Sequence, residues 1–196
     1  MGLSIHYNGR FNAQASLPEM IEEVRDIAEI YNWQYTVYEN QFSSNIFDSD
    51  SYSEKIYGIS FTPPESETIC LCFLSNGRMS SFPNFKCFGN STNENYQKYL
   101  YMLSVKTQFA GSAVHKLIIL LLKYLSKKYF QEFEVIDEGH YWETGDEKLL
   151  EETFEKYNDL LESVSSALEN IPMDSAETFE DYFARIMKII KEKRKK

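Results

Sequence analysis

Ten consecutive residues, Asp137-Glu138-Gly139-His140-Tyr141-Trp142-Glu143-Thr144-Gly145-Asp146, combine four carboxylates, an imidazole and two large aromatic rings. They fall between a strand pattern and a helix pattern, where loops often carry function. Glu138, His140 and Glu143 could ligate a divalent cation or act as an acid–base pair, with Trp142 adding a binding surface. A structural account competes and takes precedence. Asp146 and Glu147 suit the positive end of the next helix, and Tyr141 and Trp142 would staple that helix to the domain. No His-x-x-x-His or His-Glu-x-x-His spacing is present, so neither a metal nor another cofactor is expected.

His6 is the second group with reactive chemistry. It alternates with Leu3, Ile5 and Tyr7, which places it on the milder face of a sheet with Thr36, Ser60, Cys70 and Lys106. An imidazole, a thiol and an amine on one concave face could bind a polar or anionic ligand, or pair for nucleophilic catalysis. The competing account is a histidine hydrogen-bonded within a half-exposed sheet. His115 lies on a helix flank with Ile119, Leu122 and Ser126, the setting of a satisfied, semi-buried histidine. The weak catalytic candidates are therefore His6, Lys106 and His140; the weak binding candidates are Glu138, His140, Trp142 and Glu143. Walker, Gly-x-Gly-x-x-Gly and Gly-x-Ser-x-Gly motifs are lacking, and the eight glycines are scattered, so no phosphate cradle is expected.

The elements that must position these groups show in the hydrophobic periodicity. Five stretches alternate with period two: 3–8, 33–37, 57–61, 68–73 and 101–109. That is the signature of strands with one face in the main core. A further short strand is predicted at Phe133 to Ile136. Asn76-Gly77 marks a hairpin turn, with a returning strand at Arg78 to Ser81 and a further one at Phe85 to Phe88 as an option. Polar loops are predicted over Asn40 to Ser53 and Gly89 to Asn95.

Helices are predicted from about Leu17, capped by Ser16 with Glu19, and from Ala113 to Tyr129. The second is apolar nearly all round except for Lys116, Lys123 and Lys127, as expected of a central packing element. Thr144 and Glu147 open the longest helix. Along it Leu150, Phe154, Tyr157, Leu161, Val164, Leu168 and Ile171 form a heptad seam, up to Pro172. A last amphipathic helix carries Phe179, Tyr182, Phe183, Ile186, Ile189 and Ile190. It offers the seam an antiparallel partner, and a homodimer through these helices is the rival use.

The totals bound the function. In 196 residues, 43% apolar and 15% aromatic, the chain can close a core without staples. A net charge of −10 opposes partners such as nucleic acid or an anionic membrane. The last six residues carry +4 and the preceding 190 carry −14, a basic end that complements a helix dipole. Three cysteines, with Cys70 and Cys72 two apart on one strand, make neither a zinc framework nor a disulfide scaffold. They point to a reducing compartment. With no export signal and no apolar run near the roughly 20 residues that span a bilayer, a cytoplasmic location is expected.

The opening Gly2-Leu3-Ser4-Ile5-His6-Tyr7-Asn8-Gly9-Arg10, with the helix that ends near Trp33, resembles the start of uncharacterised bacterial proteins: short α+β chains beginning Gly-Leu-Ser/Thr-Ile-His-Tyr. The resemblance covers about the first 35 residues. It implies a bacterial cytoplasmic origin and carries no activity or catalytic residue.

The expected fold is α+β: a mainly antiparallel sheet of five to seven strands with helices on one face, over residues 1–143, followed by a C-terminal helical hairpin over 144–196 packed on the same domain. The expected function is non-catalytic binding of another protein in a regulatory role, or of a second copy of the chain. The alternative is a small-molecule enzyme or ligand-binding protein with its site on the polar sheet face or in the 137–146 loop.

Overall fold

The computed structural model describes residues 2–41, 51–89, 91 and 93–193. Parts of the Asn40–Ser53 and Gly89–Asn95 loops and the end of the basic tail lie outside the described residues. The chain divides into two compact units, Met1–Leu150 and Glu151–Lys196.

The first unit is built on two antiparallel sheets. In one, β1 (Ser4–Phe11) lies between β5 (Leu103–Lys106) and β6 (Phe130–Asp137). In the other, β3 (Ile56–Thr62) lies between β2 (Gln34–Val37) and β4 (Ile69–Leu74). The antiparallel α+β class is as expected, but the single sheet of five to seven strands is corrected, among the described residues, to two sheets of three. The reason is visible between β1 and β4, where a side chain replaces the backbone ladder. The Tyr7 hydroxyl accepts from the Cys70 N–H at 2.9 Å and donates to the Cys70 carbonyl at 3.1 Å. Farther along, Met79 N–H reaches Gly9 O, and Phe11 N–H reaches Gly77 O, both at 2.8 Å.

The period-two pattern buries its apolar side in most strands. Leu3, Ile5, Ile59, Ile69, Leu71, Phe73 and Val105 are all fully buried. α1 (Leu17–Ile30) and α4 (Gly111–Tyr129) pack against each other, on β3 and β6 respectively. α1 contributes buried Leu17, Met20, Ile21, Val24 and Ala28, which together stabilise the fold by roughly 10 kcal/mol before entropy is counted. Its start is fixed as expected, with Ser16 accepting from the Glu19 N–H. α4 buries His115, Ile118, Ile119, Leu121, Leu122, Leu125 and Tyr129 while leaving Leu120 and Tyr124 exposed, so it packs on one broad face rather than all round.

Three expectations change. β2 is an edge strand, and its Tyr35 and Val37 remain exposed even though Trp33 is buried on Phe61. Asn76-Gly77 does turn the chain, with Gly77 at φ 79° and Asn76 Oδ1 accepting from the Arg78 N–H. The residues beyond it form only isolated bridges, Phe73 to Met79 and Arg10 to Arg78. Phe82–Phe88 is then helix α2 rather than a strand, capped by Ser81 and opened by Pro83 in its first turn. Finally, the helices are not confined to one face. α2 and the 3-10 turn Lys98–Tyr101, which follows α3 (Glu94–Gln97), cover part of the milder side of the second sheet. There Ile56, Cys72, Leu74 and Leu100 form a second small core with Tyr38, Tyr52 and Phe85.

After β6 come α5 (Tyr141–Thr144) and α6 (Glu147–Asn170). Asp146, not Thr144, caps α6, its carboxylate accepting from the N–H groups of Lys148 and Leu149. In the second unit, α7 (Phe179–Lys193) packs against the end of α6. Buried Tyr182, Ile186 and Ile190 meet Leu160, Val164, Ala167 and Ile171. The seam is therefore rotated from the expected one: Leu160 and Ala167 take the inward places of Leu161 and Leu168, and Leu168 is exposed. Small Ala167 allows α7 to approach from that side. Among the described residues, no helix is long and apolar enough to cross a membrane.

Candidate functional site

Asp137, the first residue of the polar loop, is the end residue of β6 and is buried. Its Oδ1 accepts from His115 Nε2 at 2.8 Å and from the Gly139 N–H at 2.7 Å. Its Oδ2 accepts from the Trp142 N–H at 2.9 Å. On the far side of the imidazole, His115 Nδ1 stands 2.7 Å from Thr107 Oγ1. With the carboxylate ionised, the proton of the bond to Asp137 lies on Nε2, while the Thr107 hydroxyl also has Leu3 O at 3.5 Å. Burial alone would raise the Asp137 pKa. The hydrogen bond and charge of His115, with the two backbone N–H groups, outweigh it and hold the carboxyl below its ordinary range.

This hydroxyl–imidazole–carboxylate order is that of a nucleophilic triad, but its surroundings are not. The Thr107, His115 and Asp137 positions are at most 2% exposed, so no substrate reaches the hydroxyl. The chain of bonds is a clasp that holds the 137–142 turn to α4 and to the start of β1. Thr107 N–H bonds Leu3 O, Gln108 Oε1 accepts from the Leu3 N–H, and Glu138 Oε2 accepts from the Ser4 N–H.

The sequence-derived candidates are placed by this clasp. His6 Nε2 lies 3.6 Å from Glu138 Oε1, a half-exposed pair on the outer face of the first sheet. Lys106 lies opposite Ser4 on β5, with its aliphatic stem along Gly2. His140 is exposed at φ 60°, its N–H bonded to Asp137 O, and it opens α5. Glu143 is exposed on α5. Trp142 lies edge-on to Phe133 with the Lys123 ammonium 5.4 Å from its ring, the stapling role. Glu138 thus meets His6 rather than His140. Among the described residues, no group of three or more His, Cys, Asp or Glu side chains is placed to hold a metal ion.

The second sheet offers a different kind of site. Its register aligns Thr36, Ser60 and Cys70 on one rung, and Gln34 and Thr62 on the next, where the Thr62 and Thr68 hydroxyls are 2.8 Å apart. These side chains form the floor of a concavity of about 670 Å³, walled by Tyr38 and Phe82 and bordered by the β2 backbone at Trp33 and Tyr35. A neighbouring concavity of about 600 Å³ shares Tyr38 and Phe82 and adds Glu39, Glu54 and Lys55, so the two form one groove. His6, Lys106 and His140 line neither. The grouping of His6 and Lys106 with Thr36, Ser60 and Cys70 is therefore corrected: the first two belong to one sheet and the last three to the other.

Period-two alternation had already put Thr36, Ser60 and Cys70 on a common face. The wall residue Phe82 was hidden because no helix was expected there: it falls between the strand expected at Arg78 to Ser81 and the optional one at Phe85 to Phe88. The clasp was hidden for another reason, since His115 and Asp137 are brought together only by the packing of α4 on β6. In comparisons with family models, curated proteins and solved structures, none matches this chain.

Proposed function

We propose that this chain is a non-catalytic binding protein that engages another protein, whose extended segment lies along β2 and in the groove of the second sheet. One juxtaposition carries the reading: an open edge strand beside a hydroxyl-floored, aromatic-walled groove. Among the described residues, no strand pairs with the outer side of β2. Tyr38 N–H donates inward to Gly58 O. Strand hydrogen bonding alternates, so the N–H groups of Tyr35 and Val37 point away from β3. Such an edge is a template for strand addition, with main-chain bonds supplying affinity and side-chain pockets supplying specificity. The small Thr36 and Ser60 side chains leave room for the partner's side chains. The net charge of −10 favours a neutral or basic segment.

Selection of displayed random peptides on the whole chain tests this. Enriched peptides should share an alternating pattern and lose about fivefold in affinity against Val37→Pro, which removes one outward N–H worth roughly 1 kcal/mol and leaves the β3 ladder intact. Peptides that bind Val37→Pro and Thr36→Arg as well as the parent chain, or no enrichment, would overturn it. A second reading, a small polar ligand in the deeper concavity, draws on its volume of about 670 Å³, within the range of ligand pockets.

A further inference from the structure

Cys70 and Cys72 stand two residues apart on β4 and project to the same side of the sheet. The Cys72 thiol donates to the Ile59 carbonyl at 3.4 Å. Cys70 is half-buried and lines the groove, whereas Cys72 is 1% exposed behind it, in the small core with Ile56, Leu74 and Leu100. The Cys70 backbone is fixed on both its N–H and its carbonyl by the Tyr7 hydroxyl, so its side chain is held toward the groove. One thiol is thus reachable from solvent while a second stands two residues along the same face of the strand, buried behind it.

We propose that Cys70 and Cys72 form a redox-responsive dithiol: a hydroperoxide entering the groove oxidises Cys70, and Cys72 closes a reversible bond to it. In the first step the Cys70 thiolate attacks the terminal oxygen of the hydroperoxide. The O–O bond breaks, the alcohol (or water, from hydrogen peroxide) leaves with the proton that Cys70 gave up, and Cys70 becomes a sulfenic acid. In the second step Cys72 sulfur attacks the Cys70 sulfur, the S–O bond breaks, and the hydroxyl departs as water with the Cys72 proton. Two thiols and one hydroperoxide give a disulfide, an alcohol and water.

The roles follow from the environments. The Cys72 thiol lowers the Cys70 pKa by hydrogen bonding to it, which favours the attacking thiolate. Burial, then the bond to Cys70, raises Cys72 and keeps it protonated until a sulfenic acid forms beside it. A strand rise of about 3.3 Å per residue sets the two Cα atoms about 6.6 Å apart, at the long end of what a disulfide spans. Closure therefore shortens β4 at Leu71 and shifts the Ser60–Cys70 rung in the groove floor.

The test uses the whole chain carrying Cys87→Ser, which removes the exposed thiol of α2 and leaves the dithiol untouched. Reduced protein is titrated with hydrogen peroxide and its intact mass followed, with dimedone present in a parallel series. The expected result is loss of two hydrogens in the 64–78 region, reversed by dithiothreitol. In Cys72→Ser, Cys87→Ser protein, a dimedone adduct should form on Cys70. In the natural sequence Cys70 should be oxidised faster than Cys87, because the Cys72 thiol beside it lowers the Cys70 pKa. Oxidation of Cys87 alone, a Cys70 rate equal to that of Cys87, or stepwise oxygen addition without loss of two hydrogens would each overturn the proposal. Mass reads the thiols directly, so this result stands whether or not a partner segment occupies the groove.

Discussion

Asp137→Asn probes the clasp with the smallest possible change in shape. The carboxylate accepts three hydrogen bonds through two oxygens. An amide has one acceptor oxygen and an NH2 that only donates. With its oxygen placed at Oδ1, the NH2 faces the Trp142 N–H. With the amide reversed, His115 can adapt by accepting at Nε2, but the NH2 then faces the Gly139 N–H. Either way one backbone N–H near a residue 2% exposed loses its partner. An orphaned buried donor costs about 1–3 kcal/mol, and loss of the charge-assisted bonds adds about 1 kcal/mol. The total is about 3 kcal/mol, or a fall of roughly 6–12 °C in the melting temperature of the first unit. Urea and thermal melts followed by circular dichroism would measure it.

The pH dependence has a fixed sign. The folded Asp137 carboxyl titrates below its unfolded value, so its contribution is complete above the unfolded value of about 4 and disappears as pH falls through the folded one. The gap between the parent chain and Asp137→Asn should therefore be widest near neutrality and narrow below about pH 4. A loss under 1 kcal/mol at pH 7, or a gap that widens in acid, would refute the assignment of the clasp.

Two further substitutions test the backbone and the helical hairpin. Gly58 lies at φ 113°, and a Cβ there would fall 2.2 Å from Leu71 O, whereas Gly145 at φ 63° has nothing within 4 Å. Gly58→Ala should cost well over 2 kcal/mol in urea unfolding and Gly145→Ala about 1 kcal/mol; equal costs would mean that the close approach of β3 and β4 is relieved by movement. The Tyr182 hydroxyl donates to Ile171 O at 2.7 Å just beyond α6, so Tyr182→Phe should lose about 1 kcal/mol. Hydrogen exchange should quicken at amides of α7 and the end of α6 while those of β1 and β4 keep their rates; no change in α7 would remove that bond from the account.

Much of the fold was legible because it is local. Ser16 with Glu19, Asn76-Gly77 and the alternation in β1 and β4 each act within a few residues, and the structure uses each of them. What alternation cannot convey is which sheet a strand joins. The rung Thr36–Ser60–Cys70 and the rung containing His6 have the same period and similar polarity, and only long-range pairing separates them. Edge position was equally hidden. Tyr35 and Val37 look like core residues, and they are exposed because no further element covers that end of the sheet's apolar side among the described residues. At the hairpin, a heptad with Leu160, Leu161, Ala167 and Leu168 permits two adjacent seams, and the approach of α7 chose between them.

The 137–146 loop illustrates how composition misleads about sites. Four carboxylates and a histidine suggest chemistry until each is asked what it already holds. Asp137 holds an imidazole and two backbone N–H groups, Glu138 holds the Ser4 N–H and faces His6, and Asp146 caps α6. Asp137, buried and engaged in this way, cannot also bind a substrate without breaking bonds that cost as much as the clasp contributes. The groove inverts that relation. Its hydroxyls and the Cys70 thiol are common, weakly polar groups that the alternation places on one face, here beside an open strand edge. Binding requires groups whose hydrogen-bonding capacity is still on offer at an accessible surface, and the outward N–H groups of Tyr35 and Val37, on which the proposed function rests, meet that requirement among the described residues.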